Sequence, residues 1–165
     1  LVLLNLQKKT NKIQVRKKIT PFTSNLFFFF RLPAAWLTGV RVDKINDNSA
    51  SVRLKHMWIN QNPFDSIFWA VQGMAAEIST GVLILKQIQI EKINISMLVV
   101  NNNADFSKKA KGLILFSCNQ GEIVRETIKN LKIKKPKIIK LTSIGIDEKG
   151  DQVSKFDFYW SLLKK

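Results

Sequence analysis

A chain of 165 residues with 45% hydrophobic and 24% charged residues carries enough apolar surface for a real core, which excludes a disordered chain. Its formal net charge of +15 points either to an anionic partner or to a lysine-rich background, and lysine rather than arginine supplies most of it. One cysteine, Cys118, and one histidine, His56, exclude an intrachain disulfide and a Cys/His zinc set, and neither a nucleophile elbow nor a Gly-rich phosphate loop occurs.

Residues 1–20 read as a basic arm ahead of one domain over 21–165. Leu1-Val-Leu-Leu4 is too short for a signal-peptide core, and Lys8, Lys9, Lys12, Arg16, Lys17 and Lys18 follow it. Thr23 or Ser24 is the expected cap of a short helix that Pro33 ends or kinks. The run Phe27–Phe30 is expected to pack in the core or between subunits; left exposed, it would make a membrane-contact or dimer patch. Gly39–Ile45 and Ala50–His56 alternate in the strand manner around the turn cluster Asn46-Asp-Asn-Ser49, which predicts a hairpin.

Asn60–Asp65 reads as a loop punctuated by Pro63, with Asp65 or Ser66 as cap of a helix running to about Lys86. That helix is apolar on nearly every side, so it is wrapped by protein or by lipid. Gln72 and Glu77 near its middle are costly in lipid and favour protein. Downstream, 95–100 and 112–117 read as strands joined by a connection over 101–110. A short helix follows at 122–131, then a basic linker over 132–137, a strand over 138–146, a turn holding Gly150 and a last strand over 153–162. Runs of strand around one long helix give the α+β class. A curved antiparallel sheet wrapped around the long central helix accounts for the helix's apolar surface.

Glu77 is the one charged residue between Ser66 and Leu85. A lone carboxylate on such a helix faces a partner, a cavity or a catalytic task, because burying it unpaired costs several kcal/mol or forces it to take up a proton. It is either a catalytic acid or a structural one bonded to Gln72, Asn62 or the sheet backbone. Asn62 is either its functional companion or a turn residue before Pro63. Gly73 and Gly81, one helical turn to either side of Glu77, allow another element or a ligand to come close.

Asn62-Pro-Phe-Asp-Ser-Ile-Phe68-Trp-Ala70 followed by Met74-Ala-Ala-Glu77-Ile-Ser-Thr-Gly81 resembles the central motif of phenylacetate-type acyl-CoA thioesterases of the hotdog fold. Ala104–Gly112 and Phe156–Ser161 look like an uncharacterised branch of that superfamily. The resemblance covers roughly residues 25 to 163. It implies a hydrolytic site in which Glu77 is general base or nucleophile and Asn62 positions water or carbonyl. The helix start at Phe68, Trp69 and Ala70, with Gly73, would form the oxyanion site and pocket. Lys108 and Lys109 would reach the phosphates of coenzyme A. Phe68-Trp69-Ala70 departs from the family's His-Gly-Gly-like start, and Trp69 stands where a glycine admits the thioester. The implied partners are an acyl-CoA or acyl-type ligand and a second copy, as a homodimer or dimer of dimers. Nucleic acid, membrane, metal and cofactor are not expected, and the setting is read as cytoplasmic. The alternative is a non-catalytic hotdog protein that binds an acyl chain or another hydrophobic ligand. A third reading is an interaction protein that uses its basic surface.

Overall fold

The computed structural model describes residues 18–165, so nearly all of the expected basic arm lies outside the described residues. Helices α1 (Pro21–Arg31) and α2 (Pro33–Leu37) are followed by strands β1 (Arg41–Ile45) and β2 (Ala50–Lys55). A 3-10 turn (Trp58–Asn60) leads to the central helix α3 (Trp69–Glu91). Then come β3 (Ile95–Phe106), β4 (Leu113–Cys118), α4 (Gly121–Lys129), β5 (Lys137–Ile146) and β6 (Gln152–Lys164). The strands form one six-stranded sheet in the order β1-β2-β4-β5-β6-β3. Every neighbouring pair is antiparallel.

The inner face of this sheet holds α3. Val52 and Leu54 of β2, Ile114 and Phe116 of β4, and Leu141 of β5 are fully buried. They meet Ala75, Ala76, Leu83 and Ile84 of α3, which are buried as well. In β4 and β5 the alternation buries one residue in two and leaves its neighbours more exposed. This is the curved sheet around a central helix expected of a hotdog fold.

The first helix obeys its caps, one turn earlier than expected. Thr20, not Thr23 or Ser24, is the N-cap. Its hydroxyl accepts from the Thr23 amide at 3.2 Å, and the Thr23 hydroxyl accepts from the Thr20 amide at 3.0 Å, a reciprocal box with Pro21 at the first helical position. Asn25 then bonds β1 on its outer edge, donating to the Val42 carbonyl at 2.9 Å and accepting from the Val42 amide at 2.8 Å. Of the phenylalanine run, Phe28 enters the core, whereas Phe29 and Phe30 remain exposed.

Three boundaries differ from the sequence expectation. The central helix begins at Trp69 with Phe68 as N-cap and no side-chain cap, and it continues to Glu91. Asp65 sits in a left-handed turn (φ 54°) and pairs with Lys111 instead of capping. The largest difference is β3, which extends through 101–106 where a connection was expected. Pairing with β6 from Ile95 to Phe106 overrides the low strand propensity of Asn101-Asn-Asn103. A β-bulge interrupts that ladder between Val99 and Asn101.

Candidate functional site

The central helix carries several polar side chains, and most are tied to the sheet. Gln72 donates to the Ile67 carbonyl at 3.0 Å and accepts from the Ser154 hydroxyl at 2.9 Å. The Ser79 and Ser143 hydroxyls lie 2.8 Å apart. The Thr80 hydroxyl accepts from the Trp160 indole at 3.0 Å. Each pairing satisfies a group that burial would otherwise penalise.

Glu77 is different. Among the described residues no hydrogen bond or ion pair engages its carboxylate. Its side chain reaches solvent in the single chain, so α3 is not wrapped on all sides as its composition suggests. Burial by the surrounding protein nevertheless pushes its carboxyl above the ordinary glutamate value of 4.5. Desolvation is the one cause, because no charge lies close enough to offset it.

Gly73 and Gly81 flank Glu77 on the same face, and β6 occupies the space their missing side chains leave. A Cβ on Gly73 would stand 3.6 Å from the Phe156 ring, and one on Gly81 3.5 Å from the Trp160 ring. The close approach expected at these glycines is thus made by the sheet. Glu77 lies between these two glycines in the helix and is exposed.

At the helix start, Val71 and Gln72 bond back to the Phe68 carbonyl at 3.0 and 3.2 Å. The Phe68 amide bonds the Asn60 carbonyl at 2.8 Å. With no side-chain cap, the amides of Trp69 and Ala70 take no acceptor among the described residues. Such free N–H groups at the positive end of a helix favour an anionic oxygen. Phe68 and Trp69 are 42% and 57% exposed and meet edge to face at 5.8 Å. Trp69 therefore stands at the rim and does not fill the space beside Glu77 within the chain.

Asn62 belongs to its own loop. Its side-chain oxygen accepts from the Phe64 amide at 3.0 Å and from the Ser66 amide and hydroxyl at 3.3 and 3.2 Å. No hydrogen bond joins it to Glu77. Lys108 is held by Asp147 and Asp151, each at 2.6 Å, which raises its ammonium pKa. Lys109 reaches the Phe64 carbonyl at 3.3 Å. His56 is half-buried with an unpartnered Nε2. Burial pushes the Cys118 thiol up to about 11, so it is a core residue and not a nucleophile. Among the described residues no group of His, Cys, Asp and Glu is placed to hold a metal ion, and no helix is long and apolar enough to cross a membrane.

The free amides of Trp69 and Ala70 fall within the Phe68–Ala70 helix start to which the resemblance assigns the backbone donors. The sequence reading missed the inner-facing residues of β3 beyond the bulge, which carry no periodic signal.

Known proteins share the fold of this chain. Residues 23–162 match a domain of unknown function, DUF4442. No curated protein matches the chain. A probable thioesterase of unknown function from Pseudomonas aeruginosa superimposes with a TM-score of 0.75 at 18% identity, covering 90% of this chain and 100% of its own. A thioesterase from Haemophilus influenzae gives 0.68 at 12% identity, covering 90% and 94%. The PaaI protein of the E. coli phenylacetic acid degradation operon gives 0.61 at 9%, covering 85% and 91%. The chain belongs to the DUF4442 family and is built on the hotdog fold.

Proposed function

We propose that the protein hydrolyses a thioester, with an acyl-CoA as the substrate class. The observation that carries this reading is Glu77, a solvent-reaching carboxylate without a partner, whose pKa desolvation raises toward the range useful to a general base. The second component is the helix start, where the free amides of Trp69 and Ala70 are suited to a developing oxyanion. The solved thioesterases that share the fold are consistent with it.

Within one chain these two components are too far apart to act on one bond. From Ala70 to Glu77 the helix rises ~10 Å, whereas base and oxyanion donors must each lie about 3 Å from the reacting group. A second copy resolves the mismatch by bringing its own helix start to Glu77. The long edge of β3, which pairs with β6 on one side only, offers the surface: an uncovered edge strand is a template for another chain. Leu98, Val100 and Phe106 are exposed along it. The β1 edge is less available because Asn25 bonds it. A homodimer joined at β3 is the assembly this favours.

The role assigned to Asn62 is narrower than the sequence suggests. Its oxygen holds the loop that precedes the helix start, so it supports Phe68–Ala70 from behind. Lys108, held by two aspartates, is a weaker candidate for coenzyme A phosphates than Lys109.

The test is hydrolysis of acetyl-, hexanoyl-, palmitoyl- and phenylacetyl-CoA by the full chain. Turnover of at least one that disappears in Glu77→Gln supports the proposal. A wild type inert to all four, or a variant as active as wild type, sinks it. One observation favours a second reading: Phe68 and Trp69 stand exposed at the helix start, where bulk and apolarity suit a bound acyl chain. Tight binding of palmitoyl-CoA without turnover would select a non-catalytic acyl binder.

A further inference from the structure

The β-bulge of β3 sets one polar side chain opposite Glu77. Before the bulge, Met97 and Val99 lie beside the buried Leu162 and Trp160 of β6 and share their inner face. After it, Asn102 and Ala104 lie beside Phe158 and Phe156. The Phe106 ring meets Phe156 edge to face at 5.6 Å, which identifies this row as the inner one. Strict alternation from Val99 would turn Asn101 inward. The bulge takes up Val100 and turns Asn102 inward instead, the re-aiming that bulges beside functional sites perform.

Helix and strand run in step here. Gly73 abuts Phe156 and Gly81 abuts Trp160. Glu77 is midway between the glycines, and Phe158 is midway between the aromatic residues. Four helical residues rise ~6 Å and two strand residues advance ~7 Å, so Glu77 stands level with Phe158. Asn102 is the cross-strand partner of Phe158, with Cβ atoms about 5 Å apart. Its inward neighbours Val99, Ala104, Phe156 and Phe158 are apolar. No hydrogen bond within the described residues engages its carboxamide, and it is exposed.

We infer that Asn102 is the second polar group of the Glu77 site and orients the attacking water. The inference rests on the thioesterase reading. A water between the two side chains gives one hydrogen bond to the Glu77 carboxylate and the other to the Asn102 Oδ1. That leaves an oxygen lone pair for the thioester carbonyl carbon. As the C–O bond forms, Glu77 takes one proton from the water. The tetrahedral centre then collapses, the C–S bond breaks, and the leaving thiolate takes that proton from Glu77. The products are the carboxylic acid and the free thiol, and Glu77 returns to its starting charge. An amide suits this role because it stays neutral beside the carboxylate, where a second acid would repel it.

The experiment compares wild type, Asn102→Ala, Asn102→Ser, Asn103→Ala and Glu77→Gln on whichever of the four acyl-CoAs is turned over best. Asn102→Ala is expected to lower kcat by about 10- to 100-fold with KM changed less than about 3-fold, and to melt with wild type. Asn102→Ser, which keeps an acceptor, recovers part of the loss. Asn103→Ala, on the outer face of the strand, leaves kcat unchanged. If Glu77→Gln is inactive while Asn102→Ala matches wild type, the inference about Asn102 falls and the thioesterase reading stands. An equal loss in Asn103→Ala, or a loss carried wholly by KM, also overturns it. A wild type inert to all four substrates overturns both.

Discussion

The buried and the exposed polar side chains of the central helix obey different rules. Three buried neutral ones are answered by the sheet: Gln72 by Ser154 and Thr80 by Trp160 of β6, and Ser79 by Ser143 of β5. Exposed Glu77 is answered by nothing within the described residues. A protein that pairs three neutral groups across one helix–sheet interface and leaves a carboxylate unpaired beside them is not short of hydrogen-bonding partners. The contrast separates polar residues that hold the layers together from one that is available for chemistry.

The comparison breaks first at Glu77 itself. Glu77→Gln should cost activity by about 100- to 10,000-fold, measured as kcat/KM, while the melting temperature is retained. A buried, paired polar residue of the helix should do the reverse. Gln72→Ala strands the Ser154 hydroxyl and the Ile67 carbonyl in the core and should lower stability by about 1–3 kcal/mol by urea melts. Gly121→Ala should be comparably harmful, since its Cβ would lie 2.3 Å from the Asp47 carbonyl oxygen; overpacking against backbone costs about 1–3 kcal/mol.

A smaller effect sharpens the contrast through pH. The carboxyl of Glu77 is raised in the folded protein and ordinary in the unfolded one. Below the unfolded value both states hold the proton, and folding pays nothing. As pH rises through the unfolded and then the folded value, the folded state binds more protons and loses stability relative to Glu77→Gln. Melting curves of the two proteins should coincide near pH 4 and diverge to a plateau by about pH 7, with the variant higher. Because Glu77 reaches solvent, screening keeps the gap under about 1 kcal/mol. The same group should give kcat/KM an acid limb with an inflection above 4.5. The smallest effect belongs to Lys108→Ala, whose exposed ion pairs with Asp147 and Asp151 should yield a slight loss of melting temperature that vanishes at high salt.

Where the sequence reading held, it rested on short-range physics. The hairpin at Asn46–Ser49 was legible because alternation and turn chemistry lie within a few residues of each other. Gly150 takes the positive φ its turn demands, at 87°. The central helix was legible from its length and apolar run, although its missing cap shifted the start from Ser66 to Trp69. The second half of β3 was not legible. Asn101-Asn-Asn103 reads as a loop, and only the ladder to β6 makes it strand.

The amino-acid sequence by itself determined the class of fold, the central helix and the singular acid on it, because periodicity, composition and a lone charge are local properties of the chain. Tertiary structure alone decided that Glu77 stands exposed, that Gly73 and Gly81 admit β6, that Asn62 turns into its own loop, and that the bulge pairs Asn102 with Phe158. Those facts depend on which strands pair and in what register, and a shift of one residue in that register would turn every side chain of β3 to the other face.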